Sequence, residues 1–243
     1  MKSTNGLIKP LRAPEGVPSG FHALMISHPA DMAAIRKSLA IDANKSRSVL
    51  MSQLHLQDNL ALIGPFMGAP YAVALLENLI AWGADQIIYY GWCGAIAANV
   101  GIGDIVIPDQ AMIDEGTSRC YLPNHQGMSL PDSGIQQELF SRLDVDSVAK
   151  HTGAIWTTDA IFNETPEKIG HYQSLNVLAV EMEASALFTV SRYRRASMGC
   201  LLAVSDELSG GKWAPGFSNK TFKNTRSRIC QQLPRIFMKQ GSM

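Results

Sequence analysis

Short apolar runs alternate with longer helix-periodic stretches along nearly the whole chain, and this alternation limits the fold more than any other feature. FHALMI (21–26), LALIG (60–64), QIIYY (86–90), DIVIP (104–108), GAIWTT (153–158), NVLAV (176–180) and MGCLLAVSD (198–206) read as buried strands. Helical patterns run over 31–40, 71–82, 135–143, 181–194 and 218–237, the last limited by Pro234. Apolar strands followed by helices pack as a mainly parallel sheet covered on both faces. The expectation is α/β: a single three-layer α/β/α domain over residues 21–243 with a central, mixed, mainly parallel sheet. A polar, Pro/Gly-rich extension over 1–20 precedes it.

Charge narrows the function classes. The 243 residues carry 21 Lys+Arg against 21 Asp+Glu, and only 17% are charged, against roughly 25% in ordinary soluble domains. That argues against nucleic-acid binding through a basic face. From Ser48 to Ser118 there is no Lys or Arg, but seven acids. Glu77 interrupts the longest apolar stretch, so no run approaches the ~20 residues of a membrane span. The N-terminus lacks the apolar core of a signal peptide, so a cytoplasmic protein with no membrane partner is expected. Cys93, Cys120, Cys200 and Cys230 form no CxxC pair, which points to reduced thiols and no metal.

In open α/β sheets ligands bind beyond the carboxyl ends of strands. Four such ends place small or polar residues there: GPFMGAP (64–70), GWCG (91–94), VEMEAS (180–185) and VSDEL (204–208). The first two read as glycine turns. Backbone N–H groups at such turns can cradle an anion without basic side chains, and Gly68, Gly91, Trp92, Cys93 and Gly94 form this candidate anion region. Glu181 and Glu183 flank Met182 where a strand becomes a helix. They read either as first-turn acids favoured by the helix dipole or as acceptors for a sugar diol, with the methionine packed on the sugar. Asp206 reads either as a cap or as a general acid for a leaving group.

Taken in order, GPFMGAP, GWCGAI, VGIGDIVIP, WTTDAIF, VEMEAS and VSDEL resemble the purine nucleoside phosphorylase/uridine phosphorylase superfamily, which also contains nucleosidases. The resemblance implies the nucleoside phosphorylase-like fold and cleavage of the N-glycosidic bond of a nucleoside. It implies no cofactor, phosphate being a possible co-substrate, and a homo-oligomer (dimer, trimer or hexamer). It places Glu183 on the ribose 2′- and 3′-hydroxyls, with Met182 and Glu181 beside the sugar. Phe162, Ile161 and Ser205 fall around the base, and Asp206 matches the acid that purine-type members direct at N7. Uridine-type members lack that acid, so the base leans to purine.

The departures concern phosphate. Members that use it carry a glycine and an arginine after the first strand, and an arginine with a serine or threonine around the glycines of the third. Here MISHPADM (25–32) supplies Ser27 and Asp31 at the first pair, and YYGWCG (89–94) supplies Tyr89 and Trp92 at the second. Arg47 falls where some members lend an arginine to a neighbouring subunit. Nucleosidases of the superfamily place a water-activating carboxylate where Asp31 stands, although Asp31 also reads as the start of a helix. Trp92 is bulky enough either to fill the phosphate pocket or to stack on a ligand, and filling is the favoured role because large aromatics mostly supply packing area. Three readings stay open: phosphorolysis, hydrolysis with Asp31 as the water base, and non-catalytic nucleoside binding on the same fold.

Overall fold

The structure, a computed structural model, describes residues 6–145 and 148–237. The chain opens with β1 (Phe21–Ile26), α1 (Pro29–Ser38), β2 (Arg47–Val49), β3 (Ser52–Gln57), β4 (Leu60–Gly64), α2 (Ala69–Ala81) and the long β5 (Ala84–Ala95). Then come β6 (Ile105–Val106), β7 (Gln110–Asp114), α3 (Thr117–Tyr121), β8 (Met128–Ser129), α4 (Ser133–Arg142), β9 (Lys150–His151) and β10 (Ala154–Thr158). It closes with α5 (Pro166–Ser174), β11 (Ala179–Glu181), α6 (Ala184–Arg194), β12 (Ser197–Glu207), β13 (Ala214–Pro215) and α7 (Lys220–Phe237).

One path through the sheet runs β2-β3-β4-β1-β5-β11-β10-β7-β8, and β12 pairs with β5, β6 and β13. The strands β4, β1, β5 and β12 are mutually parallel neighbours. β11 runs antiparallel to β5 and parallel to β10. This is the mixed, mainly parallel sheet that the alternation of runs implies. Strand side chains alternate faces with period two. On β1, Phe21, Ala23 and Met25 enter one core while Leu24 and Ile26 enter the other. The first core lies under α2 and α6, the second under α1, α4 and α7. On β5 the same rule sends Tyr89 and Cys93 to the first face and Tyr90 and Trp92 to the second.

Two sequence expectations are corrected. GWCG is not a turn: β5 continues through it to Ala95. Its glycines serve clearance. A Cβ on Gly91 would lie 2.3 Å from the Tyr89 hydroxyl oxygen, and one on Gly94 would lie 3.1 Å from Asp206 Oδ2 and 2.6 Å from Leu208 Cδ1. Pro234 does not limit α7, which runs to Phe237. Proline cannot donate to the carbonyl four residues earlier, here that of Cys230. Ser38 Oγ from α1 reaches this carbonyl at 3.1 Å, so the acceptor is not left orphaned.

Helix α5 escapes the periodicity reading, although its start is written locally. Thr165 caps the Lys168 N–H, Pro166 opens the first turn and Glu167 follows, the residue types a helix N-terminus favours. The extension before β1 is pinned to α2: Leu11 N–H donates to Asn78 Oδ1 at 2.7 Å, and Trp82 Nε1 donates to the Leu11 carbonyl at 2.8 Å. Among the described residues no helix is long and apolar enough to cross a membrane, and no cluster of His, Cys, Asp and Glu could hold a metal ion.

Candidate active site

A cavity of about 560 Å³ opens where β11, β5 and β12 come together. Register explains the meeting point. Gly94 of β5 pairs with Val180 of β11 on one side and Asp206 of β12 on the other. A register shift between Val204 and Asp206 makes Ser205 a bulge residue, a device that re-aims side chains beside functional sites. Asp206 lines the cavity with both oxygens engaged. Ser205 Oγ lies 2.6 Å from Oδ1, and Trp213 Nε1 donates to Oδ2 at 2.9 Å.

The VEMEAS joint supplies the opposite wall, and its two carboxyls have different work. Glu181 accepts from Thr157 Oγ1, from Glu183 N–H at 2.7 Å and from Ala184 N–H at 2.8 Å. It therefore closes the start of α6 from the end of β11, ahead of the first turn in which the sequence reading put it. Glu183 accepts from Gly68 N–H at 2.5 Å and from the Tyr89 hydroxyl at 2.8 Å. Gly68 caps α2 with φ 85, a backbone state that glycine adopts without strain. Burial pushes both carboxyls up, and the charge of Glu183 adds to that push on Glu181. Burial, then Glu183, also raises Tyr89 well above the ordinary phenol range, so Tyr89 stays a proton donor. Met182 lines the cavity between the two acids.

The anion region is closed by aromatics. Trp92 stacks on His28 with ring centroids 3.7 Å apart and meets Phe222 edge-on at 5.0 Å. The Arg226 guanidinium covers the Trp92 ring at 4.4 Å. Asp31 lies in this second core, 1% exposed. It accepts from Trp92 Nε1 at 2.6 Å on one oxygen and from Arg226 at 2.6 and 2.9 Å on the other. It does not line the cavity. The expectation that Asp31 activates water is therefore corrected. As the third residue of α1 it is buried, and its carboxylate is spent on Arg226 and Trp92. Trp92 packs on His28 and Phe222 and also lines the cavity.

His28 caps α1, its Nδ1 accepting from Ala30 N–H at 3.2 Å. Burial lowers its pKa, with Asp31 opposing and Arg226 assisting. The neutral ring then carries its proton on Nε2, because Nδ1 serves as acceptor. Phe162 and Ile161 stand at the cavity mouth, 103% and 52% exposed, so within one chain they are not packed. Cys93 and Gly94 line the cavity, whereas Gly68, Gly91 and Arg47 do not. Arg47 starts the edge strand β2.

Sequence reasoning misses four residues here. His28 sits in Ser-His-Pro, a cap-then-proline signal for a helix start. Glu164 directly precedes the Thr-Pro cap of α5 and lines the cavity, and burial, with Asp206 adding and Lys168 opposing, pushes its carboxyl up to about 7. Arg226, which holds Asp31 from α7, and Trp213, which lines the cavity just before β13, carry no local motif.

The chain matches the model of the phosphorylase superfamily over residues 25–239 and belongs to that family. It is 30% identical over 153 residues to a guanosine phosphorylase of Halorubrum lacusprofundi, covering 63% of each chain. It is 28% identical over 153 residues to a DeoD-type purine nucleoside phosphorylase of Dichelobacter nodosus, covering 63% of this chain and 65% of the relative. These matches thus span just under two thirds of the relatives' lengths. The fold is shared with a uridine phosphorylase from Vibrio fischeri, at a TM-score of 0.75 and 20% identity over 91% of this chain and 93% of that one. It is shared too with an AMP nucleosidase from Bacteroides thetaiotaomicron, at 0.69 and 22% over 89% of each.

Proposed function

We propose that this chain cleaves the N-glycosidic bond of a purine nucleoside and that water is the acceptor. The cavity wall carries the choice of acceptor. Among the described residues it presents Glu164, Glu181, Glu183 and Asp206 and no Lys or Arg. A phosphate dianion entering this low-dielectric pocket finds no Lys or Arg counter-ion among the described lining residues, and any ionised carboxyl there repels it. Water meets no such repulsion.

The ribose hydroxyls donate to Glu183 and the sugar packs on Met182. Asp206 acts as the general acid, giving a proton to N7 of the base as the C1′–N bond breaks and its electron pair passes to the base. The sugar gains oxocarbenium character, which the neighbouring carboxylates stabilise. Water adds to C1′ and its proton passes to solvent. His28, with Nδ1 occupied, offers Nε2–H and so orients water rather than deprotonating it.

Inosine, guanosine and adenosine incubated with and without phosphate test the proposal. The expected result is base release at the same rate in both, with free ribose as the sugar product. The second reading, phosphorolysis, is favoured by the names of the sequence relatives. It would draw its cation from outside the chain's own cavity, for which Arg47 of a neighbouring copy is the candidate. Phosphate-dependent formation of ribose 1-phosphate would establish it, and binding with no base release would sink both.

Glu164 bears on the base. An ionised carboxyl offers acceptors for adjacent N–H donors, as on the N1 and 2-amino edge of guanine. Raised to about 7, it is ionised above that pH and protonated below. The KM for guanosine is expected to rise as pH falls through about 7, and Glu164→Gln should flatten this dependence. A wild-type KM that stays level across the range would remove Glu164 from base recognition.

A further inference from the structure

Trp213 is 61% exposed at the mouth of the cavity, yet its indole N–H is committed to Asp206 Oδ2 at 2.9 Å. Backbone pairing holds it there. β13 runs antiparallel to the end of β12 with Pro215 opposite Asp206, so the residue just before β13 lies beside the acid. Gly210 and Gly211 lead into it through open space, Gly211 with φ +72. The Phe217 ring flanks it at 6.2 Å and lines the same cavity. Burial does not explain the placement of so exposed an aromatic, whereas the contact with Asp206 does.

The two oxygens of Asp206 are unequal. Oδ1 lies against Ser205 Oγ, a buried hydroxyl that also reaches the Cys93 carbonyl at 3.2 Å. Among the described residues Oδ2 is bonded by the exposed Trp213 indole alone, and Asp206 lines the cavity. Oδ2 is therefore the oxygen placed to exchange a proton with a bound base.

We propose that Trp213 is a positioning residue for the acid. Its N–H holds Asp206 Oδ2 toward the leaving base and stabilises the carboxylate formed when the proton is given up. The inference rests on Asp206 acting as the acid in the proposed reaction. In that step the proton moves from Asp206 to the base nitrogen, the C1′–N electron pair passes to the base, and Asp206 is left negative. An N–H donor bonds a carboxylate more strongly than a neutral acid. The contact therefore tightens as the proton leaves, and an interaction that strengthens on the way to the transition state raises kcat. The indole N–H donates and never accepts, so Trp213 assists Asp206 and does not replace it.

Trp213→Phe keeps a ring at the mouth and removes the donor. Steady-state guanosine cleavage is measured in wild type, Trp213→Phe, Asp206→Asn and the double variant. Trp213→Phe alone should lower kcat about tenfold, the lower end for a hydrogen bond to a charged group, with KM nearly unchanged. In the Asp206→Asn background it should lower kcat no further, because no carboxylate forms there. Full kcat in Trp213→Phe, a loss confined to KM, or an equal loss in the Asp206→Asn background would each overturn the inference. In those cases the proposed reaction stands if Asp206→Asn alone is impaired. A wild type that releases no base from any nucleoside overturns both.

Discussion

Asp206→Asn is expected to lower kcat on purine nucleosides by about 10² to 10⁴, the range for removing a positioned general acid, with little change in KM. The substitution suits the test because the local hydrogen bonds survive it. The amide oxygen can take the Trp213 N–H that Oδ2 now accepts, and the amide nitrogen can face Ser205 Oγ, a hydroxyl that can accept as readily as donate. What disappears is the transferable proton. A purine leaving without protonation carries the full charge of the broken bond, and that cost falls on kcat. Stopped-flow or steady-state base release across a pH series measures it. Unchanged turnover in Asp206→Asn would remove the acid from the mechanism and, with it, the argument for a purine.

The second large effect is expected at Glu183. Glu183→Gln should lower kcat/KM by about 10²-fold or more, on the scale of losing one key electrostatic contact. The carboxylate is held by Gly68 N–H and the Tyr89 hydroxyl. Glutamine can keep one of these through its oxygen, and the Tyr89 hydroxyl can rotate to accept from the new amide. The fold is thus retained while the charge is lost. Hydroxyls donate more strongly to a carboxylate than to an amide, and a positive sugar carbon forms in the transition state, so the deficit should lie mainly in kcat. A 2′-deoxynucleoside offers one hydroxyl fewer and should lose less from the substitution than the matching ribonucleoside. Equal losses on the two substrates would mean that Glu183 does not read the sugar diol.

Much of the scaffold is legible in local sequence because a buried strand and an amphipathic helix each announce themselves within a few residues. Runs 21–26 and 60–64 coincide with β1 and β4. The edge hairpin β2–β3 and the short α5 do not, because their patterns are brief and mixed. GWCG shows a different limit. Two glycines in four residues suggest a turn, yet here they clear space in a central strand for Tyr89 and Asp206. That need depends on side chains from elsewhere in the chain and is not visible locally. Glu183, Met182 and Asp206 line the cavity and are singled out by their motifs because each lies at or just beyond a strand end, where position along the chain and position in the cavity coincide.

By itself, the sequence determined the layered α/β architecture, the strand ends that carry the site, and the absence of any local cation between Ser48 and Ser118. Periodicity and composition suffice for those, since they are properties of contiguous residues. Tertiary structure decided what became of the anion region. Side-chain alternation on β5 sends Tyr89 to one face, to hold Glu183, and Trp92 to the other, where Asp31 and Arg226 close on it. Arg226 lies 195 positions from Asp31. No local pattern links the two, and only the packing of α7 on α1 brings the cation to the carboxylate, leaving neither for a ligand.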